Sequence, residues 1–174
     1  RKIQTSMEIR NSVLEDKDII REFCAAASDF QKSKSTVSWP LFDPKLIENE
    51  IREKRQWKMM VGDEVVCIWA ITDSDPQIWG DRNAEPALYL HRIATNPNFR
   101  GRNLVLDVVV WAKRYAKTKN LQYIRMDTVG ENLGLIKHYK KCGFDFLGLS
   151  ELEDTEGLPA HYHKATVSLF QMKV

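Results

Sequence analysis

Cysteine is scarce in this 174-residue chain: Cys24, Cys67 and Cys142 are odd in number, far apart and never in a Cys-x-x-Cys pair. That spacing argues against a disulfide scaffold and a cysteine zinc site, and for a reducing, cytoplasmic setting. Glycine (8) and proline (6) are too few for a fibrous or low-complexity chain. No apolar run approaches the roughly 20 residues that span a bilayer, so no membrane partner is expected. The N-terminus has no apolar signal core, and residues 1–6, ahead of Met7, read as a tag or an extension. The hydrophobic fraction, 43%, is that of an ordinary globular protein and is enough for one domain over residues 1–174, as a monomer or homodimer.

Charge of either sign is nearly balanced, at +2 overall, but it is unevenly spread. Arg100 to Lys141 holds ten basic and three acidic residues, a local balance of +7. Such asymmetry points to an anionic partner or to a solvated, lysine-rich helix face. No nucleic-acid-binding module pattern accompanies it, so nucleic acid is not the expected partner.

Hydrophobic periodicity then gives the elements. Met7–Arg10 reads as a strand, Asp16–Ala27 as a helix, Gln31–Phe42 as a loop carrying Ser33, Ser35, Ser38 and Pro40, and Pro44–Arg55 as a helix. Trp57–Val61 and Val65–Thr72, joined by Gly62-Asp63-Glu64, read as a hairpin. Asp73–Pro86 reads as a loop and Ala87–Ala94 as a strand. Leu104–Lys119 is strand-like in composition at first, but its unbroken length makes it a helix packed by Leu104, Val108, Trp111 and Tyr115. Gln122–Met126 is a strand, Asn132–Cys142 a helix stopped by Gly143, and Phe144–Leu147 and Thr166–Met172 are late strands. The expected fold is therefore α/β: a mixed central sheet of six or seven strands with about four helices on both faces.

The segment Pro97-Asn98-Phe99-Arg100-Gly101-Arg102-Asn103 sits between a strand and a helix. A turn there exposes backbone N–H groups at a helix N-terminus, which bind phosphate. Gly101 allows close backbone approach, and Arg100 and Arg102 add charge.

From Tyr89 to Leu147 the sequence resembles the GCN5-related N-acetyltransferase (GNAT) superfamily. The family's Val-x-Pro-x-x-Arg-Gly-x-Gly-x-Gly/Ala reads here Thr95-x-Pro97-x-x-Arg100-Gly101-x-Asn103-x-Val105. Its later Asn-x-x-Ala-x-x-x-Tyr-x-x-x-Gly-Phe reads Asn132-x-x-Leu135-x-x-x-Tyr139-x-x-x-Gly143-Phe144. Asn103 and Val105 replace small residues of the family pattern.

The resemblance implies acetyl-coenzyme A as co-substrate, with no metal, and transfer to a primary amine of a small molecule or peptide in a ternary complex. A non-catalytic coenzyme A sensor is the alternative. It implies that the pantetheine arm lies between two splayed parallel strands, Leu90–Thr95 and Gln122–Thr128, against the backbones of Ile93 and Thr95. The pyrophosphate is expected on the N–H groups of Arg100, Gly101, Arg102, Asn103 and Leu104, with Asn132 bonding the arm. Ile93 N–H is the candidate oxyanion donor and Tyr139 the candidate general acid. The plainer reading of Tyr139 is an aromatic packed beside Phe144 and Phe146, and the full motif favours the acid.

The general base stays open. By alternation His91 shares a face with Tyr89, Ile93 and Thr95, and an imidazole near pKa 6.5 suits the task; a structural histidine inside the sheet fits as well. Asp73, Asp75 and Glu85 are loop carboxylates that could serve as base, hold a cationic substrate or simply be solvated. His138 and Cys142 share a helical face, yet Cys142 reads better as a small buried residue than as a nucleophile. His161 and His163, alternating on a late strand, make a weak metal pair. Acceptor recognition is expected from Gln31–Phe42, with Trp39 and Phe42, and from Asp73–Pro86, with Trp79.

Overall fold

A computed structural model describes residues 6–34, 37 and 39–174, so residues 1–5, Ser35, Thr36 and Ser38 lie outside the described residues. The elements are β1 (Met7–Asn11), α1 (Lys17–Ser33), α2 (Pro44–Arg52), β2 (Gln56–Val61), β3 (Glu64–Thr72), α3 (Pro76–Trp79), β4 (Ala87–Thr95), α4 (Leu104–Thr118), β5 (Tyr123–Val129), α5 (Leu133–Lys141), β6 (Asp145–Glu151) and β7 (Thr166–Lys173). The seven strands form one mixed sheet in the order β1-β2-β3-β4-β5-β7-β6, antiparallel everywhere except between β4 and β5. The expected fold class holds. Two local expectations differ. The helix expected to end at Ala27 continues into the first residues of the presumed loop, and the presumed loop after β3 folds into α3 and a 3-10 turn.

Two helices cover each broad face. Ile20, Phe23, Ile47 and Ile51 of α1 and α2 pack on Met60, Val65, Ile68 and Ala94. Leu104, Val108, Ala112 and Ala116 of α4, with Ile136 of α5, pack on Val66, Trp69, Leu88, Leu90, Met126 and Phe170 from the other side. Val105 is half-buried against this second core. Its bulk therefore goes inward and leaves the turn before α4 clear. Pro44 at N1 and the Asp43 side chain, accepting from Lys45 N–H, start α2.

One break in strand regularity decides the site. In the β3–β4 pair, Ile68 faces Ala94 and Ala70 faces His91, so Trp69 alone opposes both Arg92 and Ile93. This is a β-bulge, and its first residue, Arg92, has φ +48. A bulge with its first residue in the left-handed region is ordinarily built on glycine. For a bulky residue that conformation costs on the order of 1–3 kcal/mol.

The bulge reverses the side-chain alternation of β4. Tyr89 and His91 point to the α1–α2 face, and Arg92 follows to the same face, where its guanidinium meets Glu50 of α2 and lies 5.2 Å from the Phe42 ring centroid. Ile93 packs on the α4–α5 side, and Thr95 sits there beside Cys67. His91 therefore does not share a face with Ile93 and Thr95, as simple alternation predicted. One inserted residue has moved them apart.

Candidate active site

β4 and β5 pair only at Ala87 with Tyr123, Leu88 with Ile124 and Tyr89 with Arg125. Beyond that point they run on to Thr95 and Val129 without pairing to each other. Their outer edges stay bonded to β3 and β7, so the gap opens in the middle of the sheet. Asn96 N–H donates to the Val66 carbonyl at 2.9 Å, which turns Asn96 and Ala94 toward β3. Alternation then turns the N–H and C=O groups of Ile93 and Thr95 into the gap. An extended, amide-bearing ligand could hydrogen-bond there as a strand does.

At the open end of β4 lies the turn Asn96–Asn103. The Asn96 side chain accepts from Asn98 N–H at 3.0 Å and donates to the Val65 carbonyl at 3.1 Å, anchoring the turn to β3. Gly101 has φ +87 with open space around it, and Asn103, the N-cap of α4, has φ +61 and no side-chain cap bond. Asparagine is among the few residues that take this conformation readily, which accounts for Asn103 where the family pattern has glycine. The first N–H groups of α4 thus face outward beside a chain that can approach closely, an arrangement suited to phosphate. Arg100 and Arg102 flank it, their guanidinium groups stacked 4.3 Å from the Phe30 centroid and 4.7 Å from the Phe99 centroid. Asn132 is the N-cap of α5, its Oδ1 accepting from Leu135 N–H at 3.1 Å.

On the α1–α2 face, three side chains converge where the strands part. His91 Nε2 lies 3.5 Å from Asp75 Oδ2, and Asp75, His91 and Asp127 offer atoms within 4.8 Å of one another. Tyr162 donates its hydroxyl to Asp127 at 2.8 Å. Burial pushes His91 down to about 3, with Arg92 and Arg55 adding to the effect. Burial raises Asp75 to about 7, helped by the Asp127 charge, and raises Asp127 to about 6 against the Tyr162 hydrogen bond. The imidazole is therefore neutral at pH 7 with a lone pair to offer, but burial and the two arginines oppose its protonation, which an ionised Asp75 at 3.5 Å would favour, and its own titration does not lie near 6.5. A histidine and two carboxylates at this spacing could take an ammonium group or a metal ion.

Tyr139 lies on the opposite face, in T-shaped contact with Phe170 at 5.1 Å and Phe144 at 6.2 Å. Burial, and then Cys142, push its phenol up to about 12, so it stays protonated. The same core raises the Cys67 thiol to about 12 by burial.

The remaining candidates separate cleanly. Glu85 pairs with the fully buried Arg125 at 2.6 Å, which is a structural role, and Asp73 is exposed. Cys142 Sγ is 4.0 Å from His138 Nε2, but burial raises its thiol pKa, which opposes thiolate formation. His161 and His163 are not on a strand: His161 belongs to a 3-10 turn and His163 follows it. The His161 ring centroid lies 6.3 Å from that of Phe42, and His161 lines an open pocket of about 620 Å³ together with Ser28, Asp29, Trp39 and Leu41. Trp39 and Phe42 therefore do flank this face. Trp79, expected at a recognition surface, is buried against Tyr89 and Arg125.

Sequence reasoning missed Asp127, Tyr162, Glu50 and the orientation of Arg92. Two of these carried a signal: Glu50 is an acid inside the apolar stripe of α2, and Asp127 is a charge in a central strand.

A family model described as Acetyltransferase (GNAT) family matches residues 26–144. The Bacillus subtilis (strain 168) N-acetyltransferase YesJ, itself uncharacterized, is 32% identical over 84 residues, 48% of this chain; the match spans about half (47%) of that relative's length. A GNAT-family acetyltransferase from Listeria monocytogenes 4b F2365 superposes with a TM-score of 0.76 at 21% identity, over 97% of this chain and 95% of the other. A Drosophila melanogaster polyamine N-acetyltransferase superposes with a TM-score of 0.67 at 11% identity, over 97% and 100%. Among the described residues no helix is long and apolar enough to cross a membrane. With strand splay, helix-capping turn and family model agreeing over more than half its length, this chain belongs to the acetyltransferase (GNAT) family.

Proposed function

We propose that this chain, as a single cytoplasmic domain, transfers an acetyl group directly from acetyl-coenzyme A to a primary amine of a small molecule or peptide. The observation that carries the reading is the splay of β4 and β5 with a neutral imidazole on one face and a protonated phenol on the other. Acetyl-coenzyme A, when bound, supplies the activated thioester. The Arg100–Leu104 turn holds the phosphates, and the Ile93 and Thr95 backbones, with Asn132, hold the arm.

The amine arrives on the α1–α2 face as its ammonium form, attracted by Asp75 and Asp127. His91 takes the proton that must leave before nitrogen can attack, and Asp75 beside it steadies the resulting imidazolium. Ile93 N–H donates to the carbonyl oxygen as negative charge gathers there. Tyr139 gives its proton to the departing sulfur from the other face, and the second proton lost from the attacking nitrogen as the amide forms passes to solvent, from which Tyr139 is reprotonated. No metal is needed for any of these steps. A coenzyme A sensor has use for the turn and the gap, but not for an acid and a base on opposite sides of it.

Turnover of acetyl-coenzyme A against a panel of primary amines tests the reading. We expect thiol release that depends on the amine and falls about 10²-fold in Tyr139→Phe. Coenzyme A binding with no turnover of any amine would establish the sensor instead.

A further inference from the structure

A non-glycine residue held at the glycine position of a bulge needs something to hold it. Arg92 extends from the bulge to Glu50 of α2, which is 3% exposed. The second Glu50 oxygen lies 3.6 Å from Arg55 Nη1. Arg55 in turn fastens to both α2 and β3: its N–H donates to the Glu50 carbonyl at 2.8 Å, its carbonyl accepts from Ile71 N–H at 2.8 Å, and its Nη1 donates to the Ile71 carbonyl at 3.2 Å. The Phe42 ring closes over the Arg92 guanidinium. One buried carboxylate thus ties the bulge of β4 to the end of α2 and to the neighbouring strand.

The bulge is what sends His91 to one face while the Ile93 N–H faces the gap. Without it, alternation puts the Ile93 side chain on the His91 face and turns the Ile93 N–H toward β3, away from the gap, so the base and the oxyanion donor no longer bracket the reacting carbon. Burying a charged pair is a poor way to gain stability alone, because the desolvation penalty offsets the attraction. It is a good way to fix one backbone arrangement. We propose that Glu50 is a positioning residue for acyl transfer: by gripping Arg92 it holds the left-handed bulge that sets His91 and Ile93 on their separate duties. This rests on the transfer reading above.

The test separates backbone from side chain. Arg92→Gly and Arg92→Ala both delete the guanidinium, but only glycine adopts the left-handed conformation without strain. We expect Arg92→Gly to keep kcat within about threefold of wild type and Arg92→Ala to lose about 10-fold or more, a fraction of an ångström at the reacting centre being enough for that. KM for acetyl-coenzyme A should change less than about twofold in both, since the phosphate turn is untouched. Glu50→Gln should lose kcat as Arg92→Ala does, and Glu50→Gln/Arg92→Gly should recover it. Equal kcat in the glycine and alanine variants, or a double variant as slow as Glu50→Gln, would overturn the proposal. The Ile93 amide ¹⁵N–¹H shift gives a readout without turnover. It should stay near wild type in Arg92→Gly and move in Arg92→Ala and, if that variant folds, in Glu50→Gln. A wild-type protein that acetylates no amine removes the transfer reading, while the amide shift still decides whether Glu50 holds the bulge.

Discussion

The two faces of the splay are built in different ways. The donor side is local: a turn from Asn96 to Asn103, the first turn of α4 and one tyrosine of α5, all within about a quarter of the chain. Most of its chemistry is backbone N–H, and side chains matter by staying out of the way, as Gly101 does by being absent and Val105 by packing inward. The acceptor side is assembled from distant pieces. Asp75 comes from the end of the β3–α3 connection, His91 from β4, Asp127 from β5, Tyr162 from the β6–β7 connection and Glu50 from α2. Its chemistry is side-chain chemistry in a dry place, where burial moves the titration of His91 and Asp75 by several pH units. The backbone device and the acceptor side chains meet at a single bulge.

The largest expected effect breaks the acceptor side alone. His91→Gln removes the proton acceptor and should slow single-turnover transfer by roughly 10²–10⁴-fold. The coenzyme A dissociation constant should stay within about twofold, as judged by calorimetric titration. A variant that loses both together would mean the two sides are not separable.

Next in size, the donor side is tested by its ligand. Acetyl-coenzyme A at about 100 times its dissociation constant should stabilise the native state by about 2.7 kcal/mol, seen as a rise in Tm. Acetyl-pantetheine, which lacks the phosphates, should give a much smaller rise at the same concentration. Equal shifts would remove the phosphate role of the Arg100–Leu104 turn. His91→Gln should show the same pair of shifts as wild type.

This contrast also explains what could be read in advance. The strand-turn-helix motif, Tyr139 and Gly143 lie in one continuous stretch, so the family resemblance could set them in register, and Gly143 takes φ +100 as a helix stop should. The alternation of β4 was read correctly as far as His91 and failed at Arg92, because nothing in the local sequence announces a bulge held by a residue 42 positions away. The His91 titration was misplaced for the same reason: its neighbours Arg55 and Arg92 and its burial are tertiary facts. Asp75 was one of three loop carboxylates of equal standing until the fold brought it to 3.5 Å from His91 and left Glu85 on Arg125.

A smaller effect sharpens the electrostatic half of the comparison. Because Asp75 is raised in the folded state to about 7, above the ordinary carboxylate range, the native state holds a proton that the unfolded chain has lost. Its contribution to stability is therefore present at low pH and lost as pH rises through about 7. Asp75→Asn removes that loss, so chemical denaturation should show the variant gaining on wild type from pH 5 to pH 8. His91, lowered in the fold, works in the opposite sense: its contribution is present above about 6.5 and fades as pH falls toward 3. In catalysis, loss of the Asp75 proton gives the imidazole an anionic partner. With both substrates saturating, kcat should rise through about pH 7 in wild type and lack that rise in Asp75→Asn.

The account stands on the claim that acid and base act from opposite sides of one gap in the sheet. The most direct measurement is the single-turnover rate of Tyr139→Phe across pH, with enzyme in excess over acetyl-coenzyme A so that product release plays no part. The account predicts a rate lower by about 10²-fold that still rises through pH 7 as wild type does, because the Asp75–His91 side is intact. An unchanged rate, or a slowed rate whose dependence on pH has also vanished, would contradict it.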